Sequence, residues 1–373
     1  MKNKLFLSIL PILSVSLTSC DSMKLYNEHL DEYVFNMKYH DDFKILQLTD
    51  IHWGNNTSTT LSKSYLDKLL EEVINHVGKV DLLEITGDLF MLANSYHIGT
   101  FIDYFEKKAE EYNFKYTVIW GNHDHHGMYR PDYIADKFSK APHCYYKENY
   151  DNLYGRSNFV INLTEDGTKL TDTKWQIANI DSGASFSETA FSLTRNYDYI
   201  HEDQINWWLL EHNKVGKEVP TIAYYHIPQD ENQKAWDLIH NGENLYNNFF
   251  KLEKFGDNGK EKYASNFIEI GSENNLKAAF MGHAHNIDWT VDYLNVTIGL
   301  GVKTGTELYY AHVKADDPDP HVQKALNNAG IAENFDLIGA SLVTLDDSLG
   351  NFSLEHLYYN ERPNGDFIKW VEY

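Results

Sequence analysis

The amino-acid sequence predicts a mixed α/β domain in which strands from both halves of the chain form one or two sheets covered by helices. Two patterns support this prediction. In the first half, short apolar runs alternate with amphipathic helical segments, and the later part contains more hairpin patterns. The chain has 373 residues, of which 42% are hydrophobic, and this suffices for one large core or two modest ones.

The elements of the first half are predicted from apolar periodicity. In chain order they are strands at 33–39 and 43–49, a helix from Leu66 to Val77, a strand at 80–86, a helix from Ile98 to Tyr112 and a strand at 116–120. The turn at 40–42 is expected to join the first two strands into a hairpin. The almost wholly apolar run at 80–86 is typical of a buried parallel strand.

The later elements are less regular. In chain order they are a short helix from Pro131, a hairpin at 158–181, a helix at 201–213, strands at 219–225 and 276–281, and a hairpin at 336–360. Two charged, Asn- and Gly-rich segments, 229–262 and 303–335, are predicted to be insertions. We therefore expect a single domain over 41–373, preceded by a tether and first strand at 20–40.

The N-terminal residues have the pattern of an exported protein. A basic start, MKNK, precedes an apolar run that is too short to span a bilayer comfortably. The following sequence, Leu17-Thr18-Ser19-Cys20, resembles a bacterial lipobox. This predicts a signal peptide at 1–19 and lipidation of Cys20, which would anchor the protein to a membrane on the extracytoplasmic side of a bacterial cell. The alternative is an ordinary signal peptide with an incidental Cys20.

The formal net charge of −23 argues against one class of partner. No stretch of the chain concentrates Lys or Arg, and a strongly acidic protein repels phosphate backbones at long range. Nucleic acid is therefore not an expected partner.

Five predicted strands are each followed closely by side chains that can bind a metal. In chain order these side chains are Asp50 and His52, Asp88, Asn122, His226, and His283 and His285. Ligands gather at the carboxyl ends of strands in layered α/β folds, so a shared strand orientation would bring the set together.

The donor set consists of oxygen and imidazole groups, without a thiolate. It suits borderline divalent ions such as Mn, Fe or Zn, and it is too rich in nitrogen for a calcium site. Seven donors exceed what one ion with an open position requires, whereas two ions that share a bridging carboxylate would use them all. Such a two-metal site can clamp an in-line displacement at phosphorus.

The order of these motifs resembles the calcineurin-like metallophosphoesterases. The chain contains DIH, GD, GNHD, a lone His before a proline and GHAH, in that order, between residue 43 and about 300. The resemblance implies a four-layer αββα sandwich of two mixed β-sheets flanked by helices. Within the superfamily, AYYHIP, IDSG and GLGVKTG are similar to the group related to purple acid phosphatases, of the plant and fungal Dcr2-like kind.

The resemblance also implies a role for each matched residue. One metal would be bound by Asp50, His52 and His285, the other by Asn122, His226 and His283, and Asp88 would bridge them. A metal-bound hydroxide would then hydrolyse a small phosphate monoester. Phosphodiester hydrolysis by the same fold, or a surface-anchored lipoprotein that binds without catalysis, are the alternatives.

The residues after Asn122 extend the candidate site. His123 is expected outside the ligand set, where it stabilises phosphoryl oxygens or protonates the leaving group. Asp124 either orients His123 or caps the following turn, and the sequence leaves both roles open. His125 and His126 are candidates for substrate contact, with ordinary loop residues as the alternative.

One position departs from the purple acid phosphatase pattern. Those enzymes carry an iron-ligating tyrosine three residues after the bridging aspartate, and this chain has Met91 there. We therefore predict that it has no tyrosinate ligand and no purple chromophore.

Overall fold

Two mixed β-sheets face each other in the computed structural model of the chain. The structure describes residues 34–54, 59–91, 93–125, 131–149, 152–186, 196–240, 246–251, 265–360 and 366–372. The predicted signal peptide, the predicted lipidation site Cys20 and the candidate substrate contact His126 lie outside these residues.

The strands are numbered in chain order. They are β1 Val34–Lys38, β2 Phe43–Leu48, β3 Leu82–Thr86, β4 Lys115–Ile119, β5 Phe159–Thr164, β6 Thr173–Asn179, β7 Ser185–Phe186, β8 Asn196–Tyr197, β9 Thr221–Tyr224, β10 Tyr246–Lys251, β11 Leu276–Met281, β12 Ile287–Tyr293, β13 Val296–Leu300, β14 His312–Val313, β15 Phe335–Leu345, β16 Phe352–Asn360 and β17 Asp366–Glu372. The α-helices of the described residues are α1 Thr59–Val77, α2 Ser95–Tyr112, α3 Pro131–Ser139, α4 Glu202–Val215, α5 Asp230–His240, α6 Phe267–Ser272 and α7 Pro320–Ala329.

Each large sheet combines parallel and antiparallel pairs. The eight-stranded sheet has the order β1-β5-β6-β9-β11-β13-β12-β10, and the seven-stranded sheet has the order β17-β16-β15-β2-β3-β4, with β14 paired to β15. In the first, β6, β9, β11 and β13 run parallel. In the second, β2, β3 and β4 run parallel. The strands that precede the five motifs therefore lie in two parallel blocks, one in each sheet.

The space between the sheets holds a continuous hydrophobic core. Phe280 of β11 meets Phe352 of β16 with ring centroids 6.3 Å apart. Gln47 of β2 donates a hydrogen bond from Nε2 to the carbonyl of Met281 at 3.3 Å. Helix α2 contacts β4 on one outer side, while α4 and α6 contact β6 and β11 on the other. This arrangement confirms the predicted sandwich of two mixed sheets flanked by helices.

The predicted hairpin at 33–49 is wrong. Both strands form, but β1 pairs in parallel with β5 of one sheet, while β2 lies between β15 and β3 of the other. Side chains of β2 are buried almost throughout, as in a strand with neighbours on both sides, whereas those of β1 are half-buried at a sheet edge. The turn at 40–42 thus carries the chain from one sheet to the other.

The hairpins predicted at 158–181 and 336–360 are confirmed as the antiparallel pairs β5–β6 and β15–β16. The sequence did not predict β12 and β13, which follow the GHAH motif, or the last strand β17. The division into a tether, one domain and two insertions stays a prediction. Among the described residues, no helix is both long and apolar enough to cross a membrane.

Candidate metal centre

The loops after β2, β3, β4, β9 and β11 meet at one end of the two sheets. They bring together two groups of side chains, and within each group the potential ligand atoms lie within 4.8 Å of one another. The first group consists of Asp50, His52, Asp88 and His285. The second group consists of Asp88, His226 and His283. Asp88 belongs to both groups. The remaining sequence-predicted ligand, Asn122, places its Oδ1 3.2 Å from Nε2 of His226. The structure therefore brings all seven predicted ligands together.

The first group is a cluster of buried acceptors. His285 Nε2 lies 3.1 Å from Asp50 Oδ1 and 3.1 Å from His52 Nε2. His285 Nδ1 lies 3.2 Å from the carbonyl of Tyr309, so the imidazole proton is held there and the lone pair of Nε2 points into the cluster. Lone pairs and a carboxylate that face each other at this distance in a buried site need a positive charge between them. The donor set thus fits a cation.

The second group follows the same logic. His226 Nδ1 lies 2.9 Å from the carbonyl of Thr86 and donates to it, which leaves the lone pair on Nε2. That atom faces Asp88 Oδ1 at 3.3 Å and Asn122 Oδ1 at 3.2 Å. With His226 neutral, all three atoms act as acceptors, and oxygen together with imidazole is the chemistry of borderline divalent metals. This group also fits a cation.

The pKa values of His52 and His283 agree with neutral, ligating rings, whereas the pKa of His226 reports how strongly the carboxylates attract a proton or a cation. Burial lowers the pKa of His52 to about 3 and that of His283 to about 4, so both rings are neutral and able to ligate near pH 7. At His226, burial also lowers the pKa, but the carboxylates of Asp88 and Asp50 outweigh it and raise the pKa to about 10. The carboxylates thus attract positive charge to this nitrogen.

Several candidate ligands have strained backbones. The φ angles of Asp50, His52, Asp88 and His283 are 53°, 50°, 49° and 74°, in the left-handed region that non-glycine residues rarely adopt. Such strain costs about 1–3 kcal/mol per residue and accumulates at functional sites. Here it turns each ligand sharply back from the end of its strand.

Glycine at 121 is required by close approach. A Cβ atom built there would lie 2.2 Å from the backbone nitrogen of Asp88 and 2.3 Å from its Oδ1. The glycine of the GNHD motif therefore lets the loop after β4 pass directly against the shared carboxylate.

His123 borders the cluster on the solvent side. Its side chain is 32% exposed, and Nε2 lies 4.0 Å from Asp88 Oδ2. Its ring stands nearly perpendicular to that of His52, with centroids 5.1 Å apart, and its backbone N–H donates to Asp88 Oδ1 at 2.8 Å. The ring is placed to reach a molecule that approaches from solvent.

Asp124 connects two of the loops. Its Oδ2 accepts hydrogen bonds from the backbone N–H groups of Gly121 at 2.8 Å and Leu89 at 3.1 Å, and its Oδ1 accepts one from Phe90 at 3.1 Å. Burial and the charge of Asp88 raise the pKa of Asp124 to about 7, although the three donors oppose the rise. The donors lie before Asp124 or in the loop after β3, so Asp124 caps these two loops and not the turn that follows it, and none of the three bonds involves His123.

His125 lies beside the cluster and pairs with the aspartate of the IDSG sequence, which was not among the predicted site residues. Its Nε2 is 3.3 Å from Oδ1 of Asp181, which also accepts backbone hydrogen bonds from Arg156 and Gly183. The next residue, Ser182, accepts hydrogen bonds at Oγ from the backbone of His226 and Ile227. The IDSG sequence thus buttresses the loop after β9.

Lys303 was also missed, because it lies in a segment predicted to be an insertion. Its ammonium group is buried and donates to the carbonyl of Asp50 at 2.7 Å. Burial lowers its pKa to about 8, against the opposing effect of the carboxylates of Asp50 and Asp88. The GLGVKTG sequence contains this lysine and is the signal that would have placed it at the site.

A two-sheet α/β fold with a buried cluster of histidines and carboxylates at its strand ends is the framework of a metal-dependent hydrolase. The chain belongs to the calcineurin-like phosphoesterase family, whose model matches residues 43–286, more than half of the sequence.

Individual relatives are distant. Phosphatase DCR2 of Saccharomyces cerevisiae is 24% identical over 267 residues, which cover 66% of this chain and 44% of that protein. Probable inactive purple acid phosphatase 29 of Arabidopsis thaliana is 21% identical over 301 residues, 74% of each chain. Among solved structures, a dimetal phosphatase from Danio rerio is 10% identical with a TM-score of 0.47, and the match covers 90% of this chain and all of that one. The chain thus matches less than half the length of the yeast protein.

Proposed function

We propose that the protein hydrolyses phosphate monoesters with two divalent metal ions. The observation that supports this most directly is the pair of ligand groups that share Asp88, all of whose members are buried except the half-buried His283. Asp50, His52 and His285 would hold one ion, Asn122, His226 and His283 the other, and Asp88 both. Manganese, iron and zinc suit this mixture of oxygen and nitrogen donors.

Two ions at this position would lower the pKa of bound water to supply a nucleophile near neutral pH and would neutralise the phosphoryl oxygens. The chain's own residues orient the ligands. Asp50 Oδ2 accepts hydrogen bonds from Thr49 Oγ1 at 2.8 Å and from the backbone of His283 at 2.9 Å. These bonds leave Oδ1 directed at His285 and the first ligand group.

His123 is the candidate catalytic residue of the protein itself. It is the partly exposed imidazole beside the shared carboxylate, with Nε2 4.0 Å from Asp88 Oδ2. From there it can hydrogen-bond a phosphoryl oxygen or donate a proton to the departing alkoxide, contributions that are typically 10²–10⁴-fold in rate. Asp124 acts through the backbone of the surrounding loops.

We further propose export and membrane anchoring through a lipidated Cys20, on the extracytoplasmic side of a bacterial cell. The basic start, short apolar run and lipobox-like sequence support this. The partner of the site is then a small phosphorylated substrate and not nucleic acid. Metabolic labelling with a fatty acid should mark the wild-type protein and not Cys20→Ser, and equal labelling of both would contradict the anchor.

The test of the enzymatic proposal uses the protein from residue 21 onward. Bound metal is measured first, and hydrolysis of an aryl phosphate monoester is then compared with that of its bis-aryl diester with Mn, Zn, Fe and Mg. We expect the monoester to be the better substrate. Preference for the diester would favour phosphodiesterase activity, and inertness toward both esters with every metal would favour the non-catalytic binding protein.

Two variants separate ligand from catalytic roles. Asp88→Asn should lose metal and activity together, whereas Asp103→Asn, an exposed aspartate of α2, should retain both. His123→Ala should keep its metal and lose rate by about 10²-fold or more. Loss of metal from His123→Ala would contradict its assignment as a non-ligand.

A further inference from the structure

Two tyrosines flank the candidate metal centre from segments outside the five motifs. Tyr197, the last residue of β8, lies with its ring centroid 4.3 Å from that of His283, and the rings are nearly perpendicular at 79°. The ring of Tyr309 lies 4.8 Å from that of His285 and is tilted by 42°. Because the two histidines belong to different ligand groups, one aromatic ring borders each half of the centre.

Tyr309 carries an exposed ring on an anchored stretch of backbone. Its side chain is 60% exposed. Its ring also contacts the candidate ligand His285. Its carbonyl accepts the Nδ1 proton of His285 at 3.2 Å, and the preceding Leu308 has a φ of 61°. The backbone is therefore anchored to the ligand while the ring faces solvent. An aromatic side chain offers a large contact area and has only two χ angles to order on binding.

The acidity of the chain disfavours an anionic leaving group, and an acidic residue lies close in sequence to each of the two tyrosines. Asp198 follows Tyr197, Glu307 lies two residues before Tyr309, and both carboxylates are buried. Lys303, the lysine placed against the centre, donates to the carbonyl of Asp50. With a formal net charge of −23 on the chain, a second negative group on the substrate would be repelled. An uncharged leaving group fits this surface better.

We propose that Tyr197 and Tyr309 are the walls of the leaving-group site and that the preferred substrate is a phosphate monoester of an uncharged aromatic alcohol. This inference rests on the proposed function. Water attacks phosphorus, the bond between phosphorus and the aryl oxygen breaks, and that oxygen leaves as the alcohol after taking up a proton, with inorganic phosphate as the second product. The aromatic ring of the substrate packs against the tyrosines, an interaction that contributes about tenfold in affinity.

The kinetic test compares phenyl phosphate with cyclohexyl phosphate, which has a similar size without a planar ring. The proteins are wild type, Tyr309→Ala, Tyr309→Phe and Tyr197→Leu. Comparing the phenyl-to-cyclohexyl ratio of kcat/KM between proteins cancels the difference in intrinsic reactivity of the esters. We expect Tyr309→Ala and Tyr197→Leu to raise KM for the phenyl ester about tenfold, to change KM for the cyclohexyl ester less than about threefold, and to leave kcat similar. Tyr309→Phe keeps the ring and should behave as wild type.

Leu349→Ala is the matched control. Leu349 is 79% exposed in the turn between β15 and β16. Leu345 pairs with Phe43 at the start of β2, so this turn lies at the opposite end of the sheet from Asp50. Removal of the Leu349 side chain should change neither kcat nor KM for the phenyl and cyclohexyl esters.

A second readout does not depend on turnover. Phenylphosphonate and cyclohexylphosphonate, which are not hydrolysed, are titrated calorimetrically into the metal-loaded proteins, with metal content measured for each. Tighter binding of phenylphosphonate that is lost in Tyr309→Ala supports the inference even if no ester is hydrolysed, in which case only the proposed function fails. An active enzyme whose variants keep the wild-type ratio overturns the inference and leaves the function standing. Loss of the preference in Tyr309→Phe also overturns it. If Tyr197→Leu loses metal, the inference is judged from the Tyr309→Ala and Tyr309→Phe variants alone.

Discussion

Replacement of Asp124 by Asn tests whether this residue caps the loops or orients His123. The two oxygens of Asp124 accept three backbone hydrogen bonds, from Gly121, Leu89 and Phe90. They tie the loop that carries Asn122 to the one that carries Asp88. An asparagine has the same shape, but its single oxygen can replace only one of the two carboxylate oxygens.

The magnitude follows from those three bonds. If the amide oxygen takes the place of Oδ2, it keeps the bonds to Gly121 and Leu89, and the NH₂ group then faces the N–H of Phe90. Two donors oppose each other there and one charge-assisted hydrogen bond is lost. A lost bond to a charged group with an unsatisfied buried partner costs about 2–4 kcal/mol. For a chain of this size the expected decrease in Tm is about 3–5 °C.

The assay is thermal unfolding at about pH 8, with metal content and kcat measured in parallel and Asp103→Asn as the exposed control. Capping predicts lower Tm and weaker metal retention, with kcat per bound metal changed less than about threefold. Orientation of His123 predicts the reverse, a loss of rate of 10²-fold or more with Tm unchanged. That second result would refute the capping argument.

Three further outcomes follow from single positions. Gly121→Ala should reduce metal content and lower activity about 100-fold, because the added Cβ would lie 2.2 Å from the backbone nitrogen of Asp88. Gly99→Ala is the control, because a Cβ there has no atom within 4 Å, and it should change neither metal content nor activity. Equal activity of the two variants would contradict the close approach at Gly121. Glu84→Gln should stabilise the protein increasingly as the pH rises above about 5. Burial raises the pKa of Glu84 well above its usual 4.5, so above pH 4.5 the folded wild type keeps a proton that the unfolded chain releases. The free energy of unfolding of the wild type therefore falls by up to about 1.4 kcal/mol for each pH unit above 4.5. Urea denaturation measures the difference in unfolding free energy between Glu84→Gln and the wild type, and a difference that does not change with pH would contradict this prediction. The iron-loaded protein should show no visible charge-transfer band, because Met91 stands where a tyrosine would be needed; such a band would contradict the absence of a tyrosinate ligand.

Local elements could be predicted from the sequence because their signals are local. The helical spacing from Leu66 to Val77 and the apolar run at 80–86 correspond to α1 and β3. The failure at 33–49 concerned pairing. β1 finds its partner in β5, more than a hundred residues later, and the alternation of two neighbouring strands does not say which sheet each one joins.

The candidate ligands could be predicted because few residue types bind metals and each stands directly after a strand. The tyrosines beside the centre could not be predicted, because 14% of the chain is aromatic and no sequence motif surrounds Tyr197 or Tyr309. The role of Lys303 was hidden for a similar reason. Lysine is common, and its contact with Asp50 exists only after β2 and the segment following β13 are brought together.

The first motif illustrates how far a ligand depends on distant residues. Asp50 holds a left-handed backbone that costs about 1–3 kcal/mol, so something must fix it. Its carbonyl accepts one hydrogen bond from Lys303 Nζ at 2.7 Å and another from the backbone of Gly305 at 3.2 Å. Thr304 adds two bonds to Thr49, one from its backbone N–H and one to its Oγ1. Since these residues lie some 250 positions from the motif, DIH alone does not encode a metal site, and the geometry of Asp50 is a property of the closed sandwich.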